Sequence, residues 1–310
     1  MNNRYAKVPL PTTGVPKEHK IYGWRIKTVR NPILSSAEID TATDKLQIPM
    51  PEMIFGNNYV EIAYLGPTGQ ESPYWTLRFD TLSALDCVDK TGTQNKLVQV
   101  AHSKAWQKSS EKTAQECPDE IHGILKPYDW TYTSDYRGDV SSLKPEHALQ
   151  EVTVETHGQS VFDEHALPFD KLKKPEPIEF YDEVVLYEDE LGDNGIVSLS
   201  VKVRVMPLRL LLLARLFLRV DGVLFRVRDT RVYIDFEYQD SGAPRVIREY
   251  TEHEDTYDSV KRKIPRAARD YSMYLRDENW VAAHTPVTKF IREYSHLKEG
   301  KEKEQQKEKS

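Results

Sequence analysis

Apolar and polar residues alternate one for one along much of this chain, most clearly from Val197 to Val205. Val197, Leu199, Val201, Val203 and Val205 take every second position, with Ser198, Ser200, Lys202 and Arg204 between them. A period of two sends one set to each face of a strand, so the run predicts an antiparallel strand with a buried side and a wet, cationic side. Shorter alternations at Trp24/Ile26/Thr28, Val60/Ile62/Tyr64, Trp75/Leu77/Phe79 and Tyr128/Trp130/Tyr132 repeat the pattern. Asp221-Gly222, between Leu218/Val220 and Val223/Phe225/Val227, has the form of a tight hairpin turn that needs positive φ. Val232, Ile234, Phe236 and Tyr238 continue the alternation, and Asp240-Ser241-Gly242 turns the chain into Arg245–Tyr250. A further strand is expected at Val152–Thr156.

Helical spacing is scarcer. Ser35 followed by Glu38 has the capping-box form, and Ile39, Ala42 and Leu46 share a face of a helix expected over Ser36–Gln47. Pro49 and Pro51 stop it. Asp80 is placed to cap a helix containing Leu82, Leu85 and Val88. Leu208–Phe217 reads as a short buried helix crossing the sheet. Arg209, Arg215, Arg219, Asp221 and Arg226 interrupt this Leu-rich region. Each would cost on the order of 2.5–3.5 kcal/mol at mid-bilayer depth, so the region is a core element and not a membrane span.

Strands outnumber helices, and their connections are hairpin-like. The expected fold is mainly β (α+β): a two-layer antiparallel β-sandwich decorated by a few α-helices, with a disordered charged tail. The expected limits are a flexible arm over residues 1–20, one sandwich domain over 21–257, a weakly patterned helical extension over 258–296 and the tail over 297–310. That tail, KEGKEKEQQKEKS, holds too little apolar surface to offset the entropy of ordering it.

Composition narrows the function. The net charge of -6 argues against a general nucleic-acid binder. The two cysteines, Cys87 and Cys117, form neither a metal spacing nor a disulfide framework and point to a reducing compartment. The first twenty residues carry no apolar segment of the secretory kind. The expected location is the cytoplasm, with the nucleus as a second one.

Catalytic motifs fail one by one. No Gly-rich phosphate loop and no Gly-x-Ser-x-Gly elbow occurs. His253-Glu254 begins a zincin-like pair, but Tyr257 stands where the second ligand belongs. Glu188–Gly195 (EDELGDNG) superficially suggests a calcium loop, yet Gly192 and Val201 fall on ligand positions, so it reads as an acidic turn between strands. Lys261-Arg262-Lys263, with Arg266 and Arg269, reads as a solvated basic face. The expectation is a binding surface without catalytic residues, metal or cofactor. The alternative is a metal-assisted hydrolase whose residues are scattered over the strands. A strand with Tyr128, Trp130 and Tyr132 on one side is either core or the floor of a peptide groove.

Several blocks, in order, resemble the TIPRL family (TOR signalling pathway regulator-like proteins, Tap-interacting in yeast). They are LQIPMPEMIFGNN from Leu46, KPYDWTYTSDY from Lys126, FYDEVVLYEDELGDNGIVSLSVKVRVMP from Phe180, FLRVDGVLFRVRDTR from Phe217, and Arg248-Glu249-Tyr250-Thr251. The resemblance spans roughly residues 21 to 252. It implies a monomeric, non-enzymatic protein that binds the catalytic subunits of type 2A protein phosphatases and restrains them. In yeast-like cells it also implies opposition to a Tap-type phosphatase-binding protein in TOR signalling, with no nucleic-acid or membrane partner.

Family members are expected to hold the phosphatase partly through a cleft for its C-terminal tail, which ends in acidic, aromatic and leucine residues. Such a cleft needs cations or backbone amides for the carboxylates and apolar walls for the rings. On the resemblance, Lys126, Tyr128, Trp130 and Tyr132 supply both. Lys202, Arg204 and Arg231 are the carboxylate partners. Asp229, in what reads as a turn after a hairpin, and Val227 lie at the phosphatase-facing edge, and Leu167 is added from the long 143–174 loop. Ser83-Ala84-Leu85 stands where relatives have Asp-Ala-Leu, so a carboxylate contact there is not carried over.

Overall fold

A computed structural model describes residues 14–48, 50–67, 69, 71–88, 97–100, 124–127, 132–143, 150–152, 166–236 and 244–297. Two open antiparallel sheets face each other. The smaller has the order β1 (Lys17–Ile21), β2 (Trp24–Val29), β4 (Tyr59–Tyr64), β5 (Trp75–Asp80), β8 (Asp139–Ser142). The larger begins with β3 (Met53–Ile54) and β10 (Phe180–Asp189), followed by β11 (Gly195–Met206) and β12 (Arg209–Val220). It continues through β13 (Leu224–Asp235), β14 (Arg245–Thr256) and β15 (Val287–His296) to β9 (Gln150–Val152). A separate pair joins β6 (Leu97–Val100) to β7 (Ile124–Pro127). The expected sandwich with few helices is the observed architecture.

The alternations place the core between the layers. Trp24, Ile26, Val60, Ile62, Trp75, Leu77 and Phe79 point from the smaller sheet, and Val197 to Val205 at every second residue from the larger. Burying a Leu77 or a Phe79 contributes on the order of 1.5–3 kcal/mol each. The Trp24 and Trp75 rings meet edge-on at 6.0 Å. At the rim the layers are tied by charge: Asp182, 1% exposed, accepts from Thr28 Oγ1 at 2.5 Å and Lys17 Nζ at 3.2 Å, and also pairs with Arg30.

Helix α1 (Ser36–Leu46) starts where Ser35 N–H donates to Glu38 Oε2 at 2.9 Å and ends on left-handed Gln47. In α2 (Thr81–Asp86) the Asp80 carboxylate accepts Ser83 N–H. That helix stops before Val88, which instead bridges to Ser134.

Three expectations are corrected. Leu208–Phe217 is strand, not helix: β12 pairs residue for residue with β11 and β13 along its whole length. Its even positions face the sandwich core, while Leu211, Leu213 and Phe217 face outward, Leu211 and Phe217 packed under other elements, so the alternation vanishes into a continuous apolar run. Residues 258–296 are not wholly helical either. After α4 (Tyr257–Arg262), α5 (Tyr271–Arg276) and α6 (Glu278–His284), β15 adds a full-length strand to β14. Its inward set is Ile291, Glu293 and Ser295, and the buried Glu293 is neutralised by Arg248 at 2.5 Å, so hydrophobicity does not mark the buried face. Finally, Lys17–Ile21 forms β1 within the expected arm. As an edge strand with one partner, it needs no apolar alternation.

On the outer face of the larger sheet lie two satellite clusters. At one end α4, α5 and α6 pack Val260, Ile264, Leu275 and Val281 on Phe217, Phe225 and Val227. At the other, Leu167 and Leu172 of the segment around α3 (Phe169–Leu172) pack on Leu211, Tyr233 and Ile247.

Candidate functional site

A groove of about 560 Å³ lies on this outer face beside the Leu167–Leu172 segment. Register builds its floor. Pairing aligns Glu183, Lys202, Leu213, Arg231, Glu249 and Arg292 across six strands, and beside them Tyr181, Arg204, Leu211, Tyr233, Ile247 and Tyr294. Period two turns both rows outward, because their neighbours fill the sandwich core. Leu167, Phe169 and Leu172 form a wall, with Phe169 63% exposed.

Three cations face one carboxylate along this lining. Lys202 Nζ lies 3.1 Å from Glu183 in a half-exposed pair, which solvent screens. Arg204 is exposed, sits 5.7 Å over the Tyr181 ring, and has no carboxylate partner among the described residues. Arg231 Nη1 donates to Thr251 Oγ1 at 2.9 Å and Nη2 to Asp229 Oδ2 at 2.6 Å. The carboxylate, Glu249, already accepts from Arg292 Nε at 2.7 Å. Burial, then the adjacent Asp235 carboxylate, push the Tyr233 phenol well above its ordinary range, so it remains a neutral donor at 3.1 Å to Asp235. An apolar trench with an excess of cations suits an extended chain that carries both rings and carboxylates.

Asp229 underlies this floor. It is fully buried in the middle of β13 and not in a turn, which corrects the sequence reading. Its oxygens accept from Arg215 Nε at 2.7 Å and Nη2 at 2.8 Å, and from Arg231. Arg215 Nη1 reaches on to Asn279 Oδ1 of α6 at 2.8 Å. One carboxylate therefore orients a groove cation and connects it to the helical cluster. Val227, likewise 0% exposed, lies beneath α4–α6 and offers no surface to a partner.

Of the other expected site residues, Leu167, Lys202, Arg204 and Arg231 converge on the groove. Tyr132 does not. It is buried in the sandwich core at φ 52°, its hydroxyl donating to Met50 O at 3.0 Å and its carbonyl accepting from Tyr187 at 3.1 Å. Lys126, in β7, pairs through its backbone with Val98 of β6 in the separate two-stranded sheet. Tyr128 and Trp130 lie outside the described residues, as do Cys117, Tyr238 and Asp240-Ser241-Gly242. Among the described residues no three His, Cys, Asp or Glu side chains converge as a metal site.

Residues 53–261 match the profile of the TIP41-like family. The chain is 38% identical over 299 residues to the type 2A phosphatase activator TIP41 of Saccharomyces cerevisiae, covering 91% of this chain and 76% of that one. The chain belongs to the TIP41-like family. It is also 37% identical over 271 residues to the human TIP41-like protein, covering 86% and 85% of the two chains. With the TIP41-like protein of Dictyostelium discoideum the identity is 33% over 291 residues, covering 89% and 94%.

In this TIP41-like chain, sequence reasoning passed over Arg215, Leu211, Leu213, Tyr233 and the Phe169 wall. The signal for the floor residues existed but depended on reading β12 as strand. Once it is one, Leu211, Leu213 and Arg215 share a face with Asp229 and Arg231. Nothing in the sequence places Phe169 against them.

Proposed function

We propose that this chain regulates type 2A protein phosphatases by binding their catalytic subunits, and that the groove receives the subunit's acidic, aromatic, leucine-ended tail. The observation that carries this reading is the convergence of Lys202, Arg204 and Arg231 with apolar walls in one trench. The cations answer the tail's carboxylates, and Leu167, Phe169 and Leu211 answer its rings and leucine. The names of the relatives in Saccharomyces cerevisiae and Schizosaccharomyces pombe, both type 2A phosphatase activators, support the partner. The regulator acts by occupancy, without chemistry of its own, and its place is in TOR signalling in the cytoplasm and nucleus.

Whether occupancy restrains the subunit, as the resemblance implies, or activates it, as those names say, is read directly from turnover. Immobilised chain should retain intact catalytic subunit and lose most of it when the subunit's last residues are removed or Arg231 is changed to Ala. Equal retention in all arms refutes the groove assignment. Adding purified chain to the subunit and following phosphopeptide hydrolysis then gives the sign.

A further inference from the structure

We propose that Glu249 fixes the direction in which a chain lies in this groove. The carboxyl end sits over β11, and a side chain that donates a hydrogen bond or carries positive charge sits over β14. This role rests on the trench being a site for an acidic chain end.

The course of the groove follows from what walls it. Leu167 and Leu172 pack on Leu211, Tyr233 and Ile247, which stand side by side on β12, β13 and β14. The wall therefore runs across the strands and not along them. Next to it lies the row Lys202, Leu213, Arg231 and Glu249, one lining residue from each of β11 to β14. A chain that follows the wall crosses these strands in turn, so each part of it meets a different floor residue.

The charges along that path are not symmetric. At β11, Arg204 is exposed without a carboxylate partner among the described residues, and the Lys202–Glu183 pair is half-exposed. At β14 stands Glu249, the one carboxylate among the described lining residues. Its Oε1 is held from β15 by Arg292, whose Nε and Nη2 both lie at 2.7 Å. Arg231, opposite Glu249 in the ladder, is turned instead to Asp229 and Thr251. Glu249 Oε2 has no hydrogen-bond partner among the described residues, and it is the acceptor that Glu249 offers the groove. A carboxylate oxygen with unused lone pairs repels an anion and accepts an N–H, most strongly a charged one.

Spacing sets the register. Neighbouring strands lie about 4.8 Å apart, so β11 to β14 spans about 14 Å, the reach of roughly four extended residues. With the terminal carboxylate at Lys202 and Arg204, the side chain about four residues upstream meets Glu249. Lysine or glutamine fits there and glutamate does not. Acidic residues nearer the end fall among Lys202, Arg204 and Arg231. The reverse direction would bring the terminal carboxylate onto Glu249.

The test uses fluorescein-labelled peptides of aromatic and neutral residues ending in a free leucine carboxylate, with Lys, Gln or Glu about four positions upstream. Anisotropy titrations at low salt compare the full chain with Glu249→Gln. The wild type should prefer Lys, then Gln, then Glu, with about tenfold between first and last. In Glu249→Gln that spread should fall to about threefold or less. Moving Glu next to the terminal leucine should tighten binding, and amidating the terminus should weaken it. A wild type that binds the Lys and Glu peptides equally overturns the direction, whatever Glu249→Gln does to folding. An unchanged spread in Glu249→Gln overturns the part of Glu249 in it. In either case, loss of binding in Arg231→Ala leaves the groove itself standing. Absence of binding by the wild type overturns both.

Discussion

Asp229 offers the sharpest test of how the groove is held. Changing it to Asn keeps volume and one acceptor oxygen but removes the charge that Arg215 and Arg231 share. Arg231 is 37% exposed and can turn to solvent, but the Arg215 side chain is 8% exposed and cannot. Leaving a buried charge without its partner costs about 3–5 kcal/mol. The remaining Asn oxygen and Asn279 place Asp229→Asn near the lower end, about 3 kcal/mol. Removing both charges, in Arg215→Met with Asp229→Asn, should cost less than the two single changes added together, because the second removes what the first left uncompensated. Urea unfolding with linear extrapolation gives all four corners of this cycle, and unchanged slopes would show that the denatured state is comparable throughout. Single effects that add within about 0.5 kcal/mol would refute the ion pair as the fastening. Asp229→Asn should also weaken retention of the phosphatase catalytic subunit by the immobilised chain, since Arg231 exchanges a charged partner for a neutral one and has Thr251 as its other guide.

The remaining predictions are narrower. Arg204→Ala, at an exposed side chain, should lower affinity for a fluorescein-labelled peptide of alternating acidic and aromatic residues ending in leucine about tenfold, with an unfolding midpoint close to wild type; anisotropy and urea melts separate the two effects. Gly195→Ala would put a Cβ 1.9 Å from the Arg219 carbonyl oxygen, and the backbone shift this forces should destabilise by about 1–3 kcal/mol or more in the same melts. Burial pushes the phenols of Tyr132, Tyr136, Tyr187, Tyr233 and Tyr250 well above the ordinary tyrosine range. A folded pKa raised above the unfolded one stabilises fully below the unfolded value, about 10, and is lost as pH rises beyond it. Phenolate absorbance of these five should therefore develop together with loss of circular dichroism, and ionisation in the still-folded protein at an ordinary pH would contradict their packing.

Sequence patterning was most legible where one face of a strand is apolar and the other wet. Val197–Val205 met that condition, so its strand and the outward Lys202 and Arg204 were both readable. It failed where that contrast is absent. β12 carries Leu211 and Phe217 outward beneath α3 and α4–α6, and Leu213 outward into the groove, which makes a two-faced strand look like a buried helix. β15 buries Glu293 through an ion pair that no periodicity reports. For the groove, the cations were visible and their convergence was not. Val227 points outward by parity but is roofed by a cluster from residues 257–284. Tyr132 matched the KPYDWTY block yet turns into the core through a left-handed backbone that its sequence does not announce. Each failure turns on a contact between segments far apart in the chain.

The groove's floor and its border come from unlike kinds of structure. β11, β12 and β13 are interior strands, with ladders on both edges fixing their side chains at constant spacing. The border is a four-residue helix with Leu167 beside it, held by a few apolar contacts. Substitutions in the border can thus retune which chain ends fit while the hydrogen-bonded lattice beneath it stays intact, so recognition can drift between descendants of one scaffold without jeopardising its folding.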